Sequence, residues 1–339
     1  MVETQKRLTV LSAASLNGES SKVREAEPWQ GRGALIFPGQ GAWKPGIGKD
    51  FFENSHAARV VFAAAEEEIP GITTICFKDP NGDLRRTDMG QLASGVVDVA
   101  AAAALNEKYP QLTDMPPVAS AGISFGELPS LVVAGVIEFK NYLRFVKERG
   151  NIMQEVGEKN PGRMVMAYGL SEEVVRGICE EIGVYPAIYY PGVTVISGLN
   201  ANINRAMAAI EAQKGKARET GVLFPFHTPI MGKARDEIAE YMKDIPFADA
   251  AYPIVLSANG FVTKSGEELK EGILDQITGA AYLPDTIEQM KKLGASLFVE
   301  LCPQPVLTAH LKKGNKEVTA VAVHDLQSLQ DLQLSFEAA

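Results

Sequence analysis

The stretch Ala121-Gly122-Ile123-Ser124-Phe125-Gly126-Glu127 constrains this chain more than any other. It sets a Gly-x-Ser-x-Gly pattern directly after the apolar run Pro117–Gly122 and directly before a helical run that begins at Glu127. Strand, sharp turn and helix in that order form a nucleophile elbow, and the flanking elements separate it from a Gly-rich turn with an incidental serine. Gly122 and Gly126 relieve crowding around the reversal, so the Ser124 hydroxyl stands above the strand end. The helix that follows aims its free N–H groups and positive dipole end at the same point. The Phe125 N–H is then placed to receive a developing oxyanion.

The rest of the chain supplies a sheet for such a turn. The first strong strand signal is Gly33–Phe37, stopped by Pro38-Gly39. An amphipathic helix is expected over Phe52–Glu68, ended by Pro70-Gly71, and a buried Ala-rich helix over Gln91–Lys108. Alternation of this kind predicts a parallel sheet covered by helices. Residues 163–226 read differently. Strand Met164–Tyr168, a helix from the Ser171 cap to Ile182, strands Ala187–Tyr190 and Val193–Ile196, a helix Asn202–Gln213 and a strand Gly221–Phe224 give the order β-α-β-β-α-β. That is the ferredoxin-like pattern, so an inserted α+β subdomain is expected. The resulting division is a flexible extension over 1–31, a large α/β domain over 32–162 and 227–325, the subdomain at 163–226, and a tail at 326–339.

Serine needs a base at neutral pH. The chain has four histidines, and His227 is the favoured candidate because Pro225 and Pro229 fix it in a rigid loop. His56 lies in a surface-type helix, His310 beside Lys312-Lys313, and His324 near the end. The Pro38-Gly39-Gln40-Gly41 turn ends the first strand on the rim that carries Ser124, so Gln40 is a candidate oxyanion donor. Arg149, followed by Gly150 on a largely apolar helix, reads as a guanidinium aimed into a cleft, where bidentate pairing with a carboxylate is what arginine does best. The net charge of −9 argues against nucleic acid as a partner. Three separated cysteines without a CxxC pair argue against a zinc ribbon or disulfide framework and suit a reducing cytoplasm. No apolar run is long enough to cross a membrane, and Met1–Leu16 makes a poor export signal because Glu3 interrupts its basic end.

Four segments occur together and in order: Phe37-Pro38-Gly39-Gln40-Gly41, Gly122-Ile123-Ser124-Phe125-Gly126-Glu127, Arg149-Gly150-Asn151-Ile152-Met153-Gln154 and Pro225-Phe226-His227-Thr228-Pro229-Ile230-Met231. On these the chain resembles the malonyl-CoA:acyl carrier protein transacylases of fatty acid and polyketide synthesis, over about residues 33–325. The resemblance implies a hydrolase-like α/β core with a ferredoxin-like subdomain. It implies Ser124 as the acyl-accepting serine, His227 as its base, and Gln276 as the residue whose backbone carbonyl orients the histidine. Gln40 and Phe125 take the oxyanion-hole positions through their main-chain N–H groups. Arg149 takes the malonyl carboxylate, with Phe226, Met153 and Ile123 at the acyl pocket. No metal or resident cofactor is implied. The partners would be malonyl-CoA and an acyl carrier protein, met by a cytoplasmic monomer. Carriers are acidic, so a local basic patch is needed, and Arg144, Lys147 and Lys233 are the contributors considered.

The sequence also departs from that family. Ile123 stands where the family usually has histidine before the serine, Cys302-Pro303-Gln304 replaces a late Gly-Pro-Gly, Tyr189-Tyr190-Pro191-Gly192 replaces an Asn-Ser/Ala-Pro segment, and Leu283 replaces a tryptophan. These changes bear on the acyl group more than on the reaction. Two rival readings stand beside transfer. One is a hydrolase of carrier-bound thioesters, which has no use for a buried cation such as Arg149. The other is a non-catalytic synthase-binding member, which has no use for both Ser124 and His227.

Overall fold

The computed structural model describes residues 26–41 and 44–336. The Gly33–Phe37 strand is buried along its whole length. It lies near the middle of a six-stranded sheet, ordered from edge to edge as Thr319–Val323, Leu297–Leu301, Gly33–Phe37, Ala119–Gly122, Ile254–Val255 and Val262–Thr263. The first five strands run parallel and the last is antiparallel. Continuous runs such as Ala34-Leu35-Ile36-Phe37 suit strands covered on both faces. The cover includes the helices His56–Glu68, Thr87–Lys108 and Phe139–Lys159, which pack on one another. Ala100, Ala101 and Ala104 are fully or almost fully buried on the second of these, where small side chains permit close approach.

Two parallel strands matter most for function. Phe37 is in register with Gly122, so the turn after each strand leaves the sheet at the same edge, side by side. Crevices outside the carboxyl ends of parallel strands are where such sheets place their ligands.

A second sheet has five strands, ordered Ala281–Tyr282, Tyr185–Tyr190, Val193–Leu199, Gly162–Tyr168 and Lys216–Glu219. Its four strands from Gly162–Glu219 pair antiparallel, with helices Glu172–Ile182 and Asn200–Ala212 between them. Val165, Val175, Ile178, Ile196, Ile203 and Ile210 close a small apolar core of their own.

Several expected boundaries shift for identifiable reasons. The helix expected over Phe52–Glu68 is two helices, Lys49–Asn54 and His56–Glu68. Extended Ser55 divides them, and its hydroxyl accepts the Ala58 N–H as a cap. The strand expected at Gly221–Phe224 lies earlier, at Lys216–Glu219, and its exposed polar residues mark a sheet edge where apolar alternation is not required. Ala281–Tyr282 joins the second sheet by pairing parallel with Ile188–Tyr189, although the sequence assigned 227–325 to the larger domain. Residues 1–25 of the expected extension lie outside the described residues. From Glu27 the chain is docked. Glu27–Pro28 pairs with Leu334–Ser335 from the tail, and Trp29 is buried with its indole N–H donating to Met115 at 2.8 Å.

Candidate active site

Ser124 occupies the turn between the Ala119–Gly122 strand and the Glu127–Val133 helix, with φ of 55°. A non-glycine residue held in left-handed backbone costs roughly 1–3 kcal/mol and persists where its surroundings enforce it. Here the two glycines do so. A Cβ on Gly122 would sit 2.0 Å from the Gly126 carbonyl carbon, and one on Gly126 would sit 2.2 Å from the Phe37 oxygen. Only hydrogen at both positions lets the helix start fold back onto the strand ends.

His227 lies in the irregular segment after Lys216–Glu219, also with positive φ, at 60°. The Thr228 hydroxyl donates to the Pro225 carbonyl at 2.7 Å and closes the loop around it. The buried imidazole points Nε2 at the Ser124 Oγ, 2.7 Å away. Its Nδ1 faces two backbone oxygens, Gln276 at 2.8 Å and Gly279 at 3.0 Å. Carbonyls only accept, so Nδ1 carries the proton and Nε2 presents its lone pair to the serine hydroxyl. Burial pushes this imidazole down to about 4, against the two carbonyls that pull it up, and Arg149 adds to the depression. The base is therefore neutral at physiological pH. Both carbonyls belong to the end of the Gly266–Thr278 helix and its cap. That end is the negative pole of the helix, which favours the imidazolium formed when His227 takes a proton. It stands where a triad would place an aspartate.

The Pro38-Gly39-Gln40 turn borders the elbow. A Cβ on Gly39 would lie 3.1 Å from the Ile123 oxygen and 3.8 Å from the Ser124 Cβ. The Gln40 main chain is thus carried to the serine's side, while its side chain accepts a hydrogen bond from Gln91 Nε2 at 3.2 Å. Phe125 follows Ser124 in the turn with its ring buried.

Arg149 is buried on the Phe139–Lys159 helix, 2% exposed, and among the described residues it forms no salt bridge. One Nη1 hydrogen bond reaches Gln91 Oε1 at 2.6 Å, and Nε has no hydrogen-bond partner among the described residues. Burial pushes the guanidinium down to about 10, with Glu127 and Tyr142 pulling the other way. A buried cation whose one hydrogen bond among the described residues goes to a neutral amide is poised for an incoming anion, because a buried charge without a paired counter-ion is costly. The Arg-Gly pair also has a packing reason. A Cβ on Gly150 would come within 2.6 Å of the Asp88 Cα, so glycine lets this helix lie against the Thr87–Lys108 helix.

Met153 is one turn beyond Arg149 and buried. Phe226 is buried next to Phe224, ring centroids 5.9 Å apart, and the Phe224 ring fills the space a Cβ on Gly157 would need. Phe224 therefore packs against the helix that holds Arg149 and Met153. Ile123 is buried immediately before Ser124.

Two residues of the cluster escaped the sequence reading. Glu127 is fully buried, accepts the Ser257 N–H at 2.6 Å on Oε1, and accepts the Gln276 side-chain amide on Oε2. Burial pushes its carboxyl up to about 7 in spite of these bonds. Its signal was present as the last residue of the serine motif. Gln91, which joins Gln40 to Arg149, had no signal beyond being a polar residue on an Ala-rich helix. Two of the three basic residues considered for docking are already engaged. Arg144 pairs with Glu68 at 2.6 Å and Lys233 with Glu237 at 3.3 Å, while Lys147 has no acidic partner among the described residues. Among the described residues no cluster of metal-ligating side chains occurs, and no helix is long and apolar enough to cross a membrane.

The geometry can be set beside known proteins. A family described as the acyl transferase domain matches residues 34–333. The malonyl CoA-acyl carrier protein transacylase of Staphylococcus aureus is 29% identical over 310 residues, which cover 88% of this chain and 97% of that protein. The crystal structure of a malonyl CoA-acyl carrier protein transacylase from Clostridium perfringens superposes with a TM-score of 0.82 at 30% identity, covering 88% of this chain and 95% of that one. A malonyl-transacylase solved in complex with its type II PKS acyl-carrier protein gives 0.81 at 28% identity, covering 89% and 99%. The matched span runs from the first core strand to the end of the tail helix and takes in the whole constellation around Ser124, and the chain belongs to the acyl transferase domain family.

Proposed function

We propose that this protein transfers a malonyl group from malonyl-CoA to the phosphopantetheine thiol of an acyl carrier protein through an acyl-serine. The carrying observation is the combination of a Ser124–His227 pair at 2.7 Å with a buried guanidinium that has no salt-bridged carboxylate among the described residues. His227 Nε2 takes the Ser124 proton as Oγ attacks the thioester carbonyl. The Gln40 and Phe125 N–H groups face the oxyanion, each donor worth roughly 3–4 kcal/mol in comparable sites. The C–S bond breaks, the imidazolium returns its proton to the CoA thiolate, and malonyl-Ser124 remains. The carrier thiol then repeats the sequence in reverse, with His227 as base toward the thiol and acid toward the serine. Arg149 binds the free carboxylate of the malonyl group and so selects it over unsubstituted acyl chains. Gln91 holds one arm of that guanidinium and the side chain of Gln40, so the carboxylate site and the oxyanion loop share a support.

The relatives named above bear on the second substrate, since one was solved with its carrier protein bound. Intact-protein mass spectrometry after brief incubation with malonyl-CoA, methylmalonyl-CoA and acetyl-CoA tests the reading. A malonyl adduct on Ser124 that moves to added carrier protein is expected. An adduct that decays to free malonate faster than it moves would favour the hydrolase.

A further inference from the structure

We infer that Glu127 is a positioning residue for His227, acting through Gln276. The inference rests on the reading of Ser124 and His227 as the reacting pair. Gln276 supplies the nearer of the two carbonyls that hold the imidazole, at 2.8 Å. Gln276 sits near the end of the Gly266–Thr278 helix, and its side chain is fully buried. Its Nε2 donates to Glu127 Oε2, while Oε1 has no hydrogen-bond partner among the described residues. The other Glu127 oxygen is tied to the Ser257 backbone at 2.6 Å. Glu127 opens the helix that leaves the serine turn, three residues after Ser124. One buried carboxyl therefore joins the element that carries the nucleophile to the helix end that carries the histidine's acceptors. The register of that helix end against the elbow decides where the imidazole stands, and alignment errors near 1 Å cost about 100-fold in rate.

The test compares wild type with Glu127→Gln, Gln276→Met and the double variant. Two rates are read: Ser124 modification by a fluorophosphonate probe, which needs only the activated serine, and steady-state malonyl transfer. Glu127→Gln keeps shape but faces the Ser257 N–H and the Gln276 amide with one acceptor instead of two. Gln276→Met keeps the backbone carbonyl and removes the amide. The expected result is a probe rate and kcat reduced ~10- to 100-fold in each single variant, with KM for malonyl-CoA within about threefold. The double variant should be no slower than the slower single one, because the two residues act as one unit. The downfield proton signal of the His227 Nδ1–H should broaden or shift in both. Unchanged probe rate and kcat in a folded variant, whatever its melting temperature, would overturn the inference. If Glu127→Gln does not fold, Gln276→Met alone decides. Failure of wild type to take malonyl while it reacts with the probe would count against the malonyl reading and leave the Glu127 inference standing.

Discussion

Replacing Arg149 by methionine should separate what this residue does for the substrate from what it costs the fold. Burial holds the guanidinium at about 10, against an ordinary 12.5. At 1.36 kcal/mol per tenfold change in proton affinity, the charge is held at a penalty of ~3 kcal/mol. The sign follows from the direction. A base whose folded value lies below its unfolded one destabilises the folded state at every pH below the folded value, so the penalty applies throughout the working range. Methionine has similar volume and removes it. Against this, Gln91 Oε1 loses the donor it holds at 2.6 Å, which costs about 1–3 kcal/mol. The folded state should therefore be no less stable than wild type, and more stable by up to ~2 kcal/mol. The substrate loses a desolvated ion pair worth about 2–5 kcal/mol, so kcat/KM for malonyl-CoA should fall roughly 30- to 5000-fold. Acetyl-CoA has no carboxylate, and its loading should hold or improve. Differential scanning fluorimetry and parallel adduct kinetics read both sides. A malonyl loss of less than about tenfold, or a variant that melts well below wild type, would refute the reasoning.

Other consequences are as direct. Ser124→Gly and Ser124→Ala should both abolish the acyl adduct by mass spectrometry, but the glycine variant should be more stable by about 1 kcal/mol in thermal melts, because it alone relaxes the positive φ. Gly126→Ala forces a methyl to within 2.2 Å of the Phe37 oxygen and should destabilise by about 3 kcal/mol or more, visible as loss of soluble protein or a steep fall in melting temperature. The His227 ring protons, followed by NMR, should show a neutral imidazole as pH is lowered from 8 to about 5, with protonation near 4, because its folded value is depressed. A midpoint above 6 would contradict the buried, carbonyl-held geometry.

The serine elbow was legible because its glycines, strand and helix are contiguous, and close approach leaves a compositional mark. The His227 loop was legible from its two prolines for a similar reason. The partnership between Gln276 and His227 came through likeness to a family, since a backbone carbonyl leaves no trace in side-chain chemistry. Gln91 was invisible because its role depends on two helices crossing, and nothing near it in the chain reports that crossing. The edge strand at Lys216–Glu219 was misplaced because a strand with a wet face carries little apolar pattern, while the Gly221–Phe224 run looks strand-like and its Phe224 instead packs against Gly157 of the Phe139–Lys159 helix. The docking of Glu27–Pro28 on Leu334–Ser335 joins opposite ends of the chain, a pairing that local periodicity cannot register.

The dyad is assembled from residues far apart along the chain. Ser124 and His227 are 103 positions apart, and Gln276 follows 49 later. The last ligand to the imidazole is the Gly279 carbonyl, beyond most of the larger sheet's helices but before its Leu297–Leu301 and Thr319–Val323 strands. Contacts of such separation pay their loop-closure entropy late. A refolding or newly synthesised chain should thus gain helix and apolar burial well before it gains a reactive serine. Partly folded species would then be inert toward CoA thioesters, and recovery of serine reactivity would time the final step of assembly rather than its beginning.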